Sequence, residues 1–186
     1  MIRERGGGSE LGWSRYRALT GARIEEIATL KVSDVDLKAM TLHLPGTKTE
    51  AAERTIPFHP ALKATFQGRM KGKNTATWVS DELPERKDGD PKGRSAVISK
   101  AFTRHRRSAG VDAKVDGKRR ALTNFHSFRR WFITEAERAG APPHVIMSIV
   151  GHKRPGMTLG AYSGGPDLEA QMRKVVEAVK LPAGVV

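Results

Sequence analysis

HSFRRWFITEAERAGAPPHVIMSIVGHKRPGMTLGAY, running from His126 to Tyr162, reads as two amphipathic helices followed by a third short one. The first runs from about His126 to Arg138 and ends at Gly140; Pro142-Pro143 start a second, which stops at Gly151. His126 and Arg129 lie three apart and project from one face, while Phe128, Phe132 and Ile133 take much of the inner face. An arginine beside a histidine at the start of a helix can hydrogen-bond a phosphate from two directions, and the helix N-terminus favours an anion there. His152 falls just past a helix end, where a loop side chain can point into a cleft, and Tyr162 lies ten residues further on. Taken singly these residues are ordinary: i, i+3 pairs arise by chance, and lone histidines and tyrosines are more often loop or core residues. Their combination is what carries chemistry.

Downstream of this stretch, Asp167 caps a last amphipathic helix with Leu168, Met172, Val175, Val176 and Val179 on its apolar side. Upstream, Ser95 to Ala109 is a helix with a basic end at Arg104, His105, Arg106 and Arg107, followed by a polar, basic loop from Asp112 to Arg120. Pro60 opens a helix through roughly Met70, and Lys71 to Lys92 is a surface loop in which Thr75 to Ser80 is a candidate strand. Before it the period changes to two: Met40, Leu42 and Leu44 alternate with polar residues, Pro45 to Thr49 makes a turn, and Arg54 to Pro57 resumes an extended pattern. This is a β-hairpin with Lys48 at its tip. From Trp13 to Lys31, Leu19, Ile24, Ile27 and Leu30 recur at helical spacing with a break at Thr20-Gly21, and the second piece carries Arg23 and Glu26 on one face. Residues 1–12 contain Gly6-Gly7-Gly8-Ser9 and read as a flexible segment, so the domain spans 13–186. The fold class is α+β, mainly helical, with an antiparallel sheet of two to three strands.

The bulk composition narrows the partner. The 186 residues carry 33 Lys plus Arg against 20 Asp plus Glu, a formal charge of +13, which points to a polyanion, nucleic acid first and an anionic membrane surface second. No apolar run is long enough to span a bilayer and no signal peptide is recognisable, so a soluble intracellular protein is expected. The chain has no cysteine, which excludes disulfides and thiolate metal sites. Gly68 to Asn74 lacks the spacing of a phosphate-binding P-loop, no acidic cluster suggests a two-metal nuclease, and the six histidines match no common zinc pattern.

A phenol has a pKa of about 10, so a nucleophilic tyrosine needs a proton acceptor and cations nearby. The chain has two tyrosines, Tyr16 and Tyr162. Two arginines can stabilise charge on phosphate oxygens bidentately, and a lysine on a hairpin tip can protonate a leaving oxygen.

Thr20-Gly21-Ala22-Arg23-Ile24-Glu25-Glu26-Ile27, Lys48 in a turn, His126-Ser127-Phe128-Arg129, Gly151-His152 and Tyr162 together resemble, in order and spacing, the catalytic domain of tyrosine recombinases of the phage-integrase family. The resemblance covers about residues 19 to 180. It implies that Arg23 and Arg129 bind the scissile phosphate, that Glu26 holds Arg23, and that Lys48 protonates the 5′-hydroxyl leaving group. It further implies His126 as proton acceptor for the tyrosine, His152 as a hydrogen-bond donor to the phosphate, and Tyr162 as the nucleophile that forms a 3′-phosphotyrosyl link. No cofactor, nucleotide or metal is needed, the partner is double-stranded DNA, and a bacterial or phage cytoplasm is the implied setting.

Two departures qualify the resemblance. The family usually carries an N-terminal domain that clamps the opposite face of the DNA, for which no length is left here, so weak DNA binding by this piece is expected. Ahead of Arg23, Trp13-Ser14-Arg15-Tyr16-Arg17 is polar and basic where the family has a more apolar helix. The last helix, Leu168 to Val179, is a candidate for self-association on DNA, with packing on its own domain as the equal alternative. Competing readings are an inactive DNA-binding remnant, a basic RNA-binding module and a type IB topoisomerase.

Overall fold

The computed structural model describes residues 10–46, 53–85, 93–114, 116–117, 121–152 and 167–182. Their periodicities become seven α-helices and a small sheet: α1 (Glu10–Thr20), α2 (Ile24–Ala28), β1 (Val35–Asp36), β2 (Thr41–Leu44), β3 (Arg54–Pro57), α3 (Lys63–Met70), α4 (Ser95–Ser108), α5 (Ser127–Arg138), α6 (Pro143–Val150) and α7 (Leu168–Ala178). The α+β class expected from the sequence is the class that forms.

The alternation of Leu42 and Leu44 with polar residues turns both leucines inward, 3% and 1% exposed, and pairs β2 with β3 in antiparallel register, Leu42 opposite Ile56 and Leu44 opposite Arg54. The expected hairpin therefore forms, while its tip, with Lys48, lies outside the described residues. The third strand is not Thr75 to Ser80. It is β1, whose two residues pair with the other edge of β2 and are too short to leave a period-two signal. Thr75 to Ser80 makes a single bridge, Lys31 to Trp78, because the Asn74 carboxamide accepts from Ala76 N and Thr77 Oγ1 and coils the backbone into a turn.

Nor is the first part of that segment a surface loop. Val79, Ser80 and Leu83 are buried, and two buried arginines tie them down. Arg94 donates to Ala28 O, Ser80 O and Pro84 O, and Arg69 pairs with Glu82 at 3.0 Å. The residues 71–85 thus become part of the floor under α1 and α2.

α1 begins at Glu10, three residues before the helical spacing becomes readable at Trp13. Its basic look conceals an inward face: Trp13 and Tyr16 join the core at 5% and 3% exposure, and Arg17 turns in with them. α1 lies along α5, where Phe132 and Ala136 are fully buried. Burying a phenylalanine side chain is worth roughly 1.5–3 kcal/mol, so Phe132 anchors this contact. α7 packs on α6 and β3 of its own chain through Met172, Val175 and Val176. Asp167 stands at its start without a side-chain cap, contrary to expectation; its backbone carbonyl instead accepts from Gln171 N at 2.9 Å. Among the described residues no helix is long and apolar enough to cross a membrane.

Candidate active site

Two helix ends, far apart in the chain, build the site. α1 gives way to Gly21 at φ +62°, and α6 to Gly151 at φ +68°. Each position needs glycine twice over, for its left-handed backbone and for space. A Cβ on Gly21 would lie 2.6 Å from Phe132 Cδ1, and one on Gly151 would lie 2.7 Å from Arg54 Nη1.

What these turns expose are carbonyls. The last carbonyls of a helix lack intrahelical partners and carry the negative end of its dipole. At the end of α6, Ile149 O accepts from Arg54 Nε at 2.8 Å, Val150 O from Arg129 Nη2 at 2.6 Å and Gly151 O from Arg23 Nη2 at 2.7 Å. Gly21 O accepts the other arm of Arg129, Nη1, at 2.5 Å. One helix terminus thereby gathers arginines from three separate elements.

Glu26 supplies the balancing charge. Its side chain is fully buried and its two oxygens accept from Arg23 N and Nη1 at 2.6 and 2.9 Å and from Arg54 Nη1 and Nη2 at 2.9 and 3.0 Å. Burial alone would raise the carboxyl's pKa, but the hydrogen bonds and charge of Arg54, and then Arg23, outweigh it and hold the group below the usual carboxylate range. Arg23 sits at the residue just before α2 and not within it, so Glu26 closes the helix start as well as binding the guanidinium. Arg129 is 2% exposed, and desolvation brings its pKa down to about 10, which leaves it cationic at neutral pH.

The histidines lie at the rim. His126 stands just before α5 with its Nδ1 2.8 Å from Arg17 Nη2, and His152 follows Gly151, its backbone N–H bonded to Met147 O at 3.1 Å. Partial burial lowers both pKa values. Arg17 and Arg129 add to this at His126, and Arg129, Arg23 and Arg54 at His152, so both rings share the field of the arginine cluster and favour their neutral forms. Of the positions expected from the sequence, the structure therefore brings Arg23, Glu26, His126, Arg129 and His152 together. Lys48 and Tyr162 lie outside the described residues.

Tyr16, the chain's other tyrosine, is unsuited to attack anything. It is 3% exposed, stacks on Phe66 with ring centroids 5.0 Å apart, and desolvation pushes its pKa up to about 12.

Two members of the site escape sequence reasoning. Arg54 reads as one polar position of a strand, and Arg17 as part of a basic stretch. The available signal for Arg17 is its place four residues after Trp13, on the face that α1 turns inward. Two guanidinium groups thus bind the Glu26 carboxylate while those of Arg129 and Arg17 lie within its field, an arrangement with unspent positive charge for an anion such as a phosphodiester. Among the described residues no cluster of histidine and acidic groups is placed to hold a metal ion.

The fold is thus an α+β domain in which Arg23 and Arg129, from opposite halves of the chain, meet at the end of α6, while Glu26 joins Arg23 to Arg54. A profile of the phage integrase family matches residues 16–164, and the chain belongs to that family. It is 30% identical over 164 residues to a prophage integrase of Escherichia coli K12, IntF, covering 86% of this chain and 32% of that protein. Among solved structures it is similar in fold to the integrase of mycobacterium phage Brujita, with a TM-score of 0.63 at 17% identity over 99% of this chain and 57% of the other. The XerA recombinase gives a TM-score of 0.56 at 16% identity, covering 95% of this chain and 54% of that one. A lambda integrase dimer bound to a COC′ core site gives 0.53 at 19% identity, over 78% and 50%. The chain spans about a third of the curated relative's length and just over half of most of these solved chains.

Proposed function

We propose that the chain is the catalytic domain of a site-specific DNA recombinase or integrase, a strand transferase working through a 3′-phosphotyrosyl intermediate. The observation that carries this reading is the convergence of Arg23 and Arg129 on the end of α6, with Glu26 holding the first and both histidines at the rim. Tyr162 is the nucleophile in this reading, and the burial of Tyr16 supports that choice.

In the proposed step the Tyr162 phenol gives up its proton to solvent as its oxygen attacks the scissile phosphorus, the bond to the 5′ oxygen breaks, and that oxygen takes a proton from Lys48. Arg23 and Arg129 stabilise the charge on the non-bridging oxygens, and His152 donates a hydrogen bond to one of them. The 5′-hydroxyl of another strand then attacks the phosphotyrosyl link, restoring a phosphodiester and the phenol. The covalent link retains the phosphodiester's energy, so the scheme requires neither ATP nor a metal.

DNA is the substrate this charge distribution suits. Lys100, Arg104 and Arg107 line a groove of about 420 Å³ on the outer face of α4, a second basic surface on which a duplex backbone can lie. Self-association on DNA is the role proposed for α7: its cis pose on α6 and β3 is that of the free chain, and transfer to a neighbouring protomer requires its release.

Incubation with a pool of nicked duplexes, from which the short leaving strand diffuses away, tests the reading on a denaturing gel. A DNA–protein adduct that disappears in Tyr162→Phe and persists in Tyr16→Phe is expected. Salt-sensitive binding with no adduct from any duplex would establish the inactive remnant instead.

A further inference from the structure

Arg17 is an expensive residue to bury. It lies in the last turn of α1 at 2% exposure, and its Nε and Nη1 find no hydrogen-bond partner among the described residues. Its guanidinium rests over the Phe125 ring, 5.2 Å from the centroid, and its Nη2 lies 2.8 Å from His126 Nδ1. A buried cation with so few partners costs stability, and an apolar side chain would fill the same space more favourably. Stability therefore does not explain Arg17; its contact with His126 does.

The chemistry of that contact is asymmetric. A guanidinium only donates, and with a pKa lowered by burial to about 10, Arg17 stays charged at neutral pH. His126 Nδ1 must accept, so the ring's single proton is on Nε2. Resting on the strand-transfer reading above, we propose that Arg17 is a positioning residue that fixes His126 as the Nε2–H tautomer, making it a hydrogen-bond donor to the scissile phosphate and not the acceptor of the tyrosine's proton.

A second proton would have to enter on Nδ1, opposite an Arg17 N–H, breaking the hydrogen bond and setting two cations 2.8 Å apart. The other groups that bear on the ring reinforce this. Arg129 and Arg130 come from α5 and His152 from beyond α6, and all of them oppose a charge on His126. The attacking phenol's proton then leaves to water.

The test is independent of DNA. In full-length protein with ring-labelled histidine, long-range proton–nitrogen NMR separates bare from protonated ring nitrogens, and the His126→Gln spectrum identifies the signal. A bare Nδ1 and a protonated Nε2 are expected. In Arg17→Met the tautomers should mix and the titration midpoint should rise toward 6.5, while Arg17→Lys, which restores a donor, should move both part of the way back. Arg17→Met should melt no lower than the parent, since it removes a buried charge, yet form adduct on nicked DNA more slowly, by about 10- to 100-fold if orienting this histidine matters as much as it does for a metal-ligating one. An unchanged tautomer and midpoint in Arg17→Met would overturn the proposal. A parent protein that forms no adduct yet shows the Arg17-dependent tautomer would sink the functional reading, and with it the donation to a scissile phosphate, while the control of the His126 tautomer by Arg17 would stand.

Discussion

Glu26 holds two arginines that would otherwise repel one another across a buried space. Its full burial and four accepted hydrogen bonds make it the joint through which β3, carrying Arg54, and the start of α2, carrying Arg23, share one geometry. Removing one partner of a buried ion pair leaves the remaining charges uncompensated, at about 3–5 kcal/mol. Glu26→Gln keeps the shape but supplies an N–H where an arginine also donates. It should therefore lower stability by an amount in that range, read by urea denaturation, and slow adduct formation as Arg23 loses its hold. If the urea midpoint stays where it is, the carboxylate is not the joint described here. The contrast with Arg17 is instructive: one buried charge is fully partnered and structural, the other barely partnered and directed at a histidine.

At the scale of elements, the site depends on how two helices stop. A helix terminated by a left-handed glycine can present its final carbonyls to side chains from elsewhere, and α6 does so for Arg54, Arg129 and Arg23. Gly21→Ala should be costly for two reasons that act together: the left-handed backbone costs roughly 1–2 kcal/mol for a side chain, and the new Cβ meets Phe132 at 2.6 Å, overpacking of the kind that costs about 1–3 kcal/mol. Gly68→Ala, within α3 and with open space around it, should go the other way by up to about 1 kcal/mol. Thermal melts of the two variants decide the matter, and equal shifts of the same sign would refute it. α5 contributes through its whole length: Phe132 seats it on α1, and only then is Arg129 held between Gly21 O and Val150 O.

For the molecule as a whole, the strongest prediction concerns acid. His59, His126 and His152 all have folded pKa values below 6.5, so on acidification the unfolded chain takes up protons before the native one does. Their contribution is in full above pH 6.5 and fades as pH falls through that value toward the folded ones. Glu26, also lowered, adds a second loss that begins below 4.5 and completes as pH passes its folded value. Both losses run the same way, and the formal charge of +13 adds self-repulsion as further protons bind. Urea midpoints measured at pH 7.5, 5.5 and 3.5 should fall at each step; stability that holds level from 7.5 to 5.5 would count against lowered pKa values at these histidines.

Much of this architecture is legible in the chain. Period-three-to-four spacing placed the helices, since an inward face must be apolar, and period-two spacing placed the hairpin of β2 and β3. The order of Arg23, Glu26, Lys48, His126, Arg129, His152 and Tyr162 pointed to a family that the comparison bears out for residues 16–164. Local periodicity does not reach the rest. Thr75 to Ser80 has the composition of a strand, but Asn74 turns its backbone, and β1 is too short to show a period. Arg17 and Arg54 looked like surface charge because a charged side chain turned inward leaves the same letter in the sequence as one turned out. The decisive bonds span 128 residues from Arg23 to Gly151 and 108 from Arg129 to Gly21. The sequence by itself determined which faces are apolar, where the helices stop and which side chains are available to a phosphate. Only the tertiary structure decided which carbonyl, carboxylate or ring each arginine meets, because those partners are brought close by packing and not by their distance along the chain.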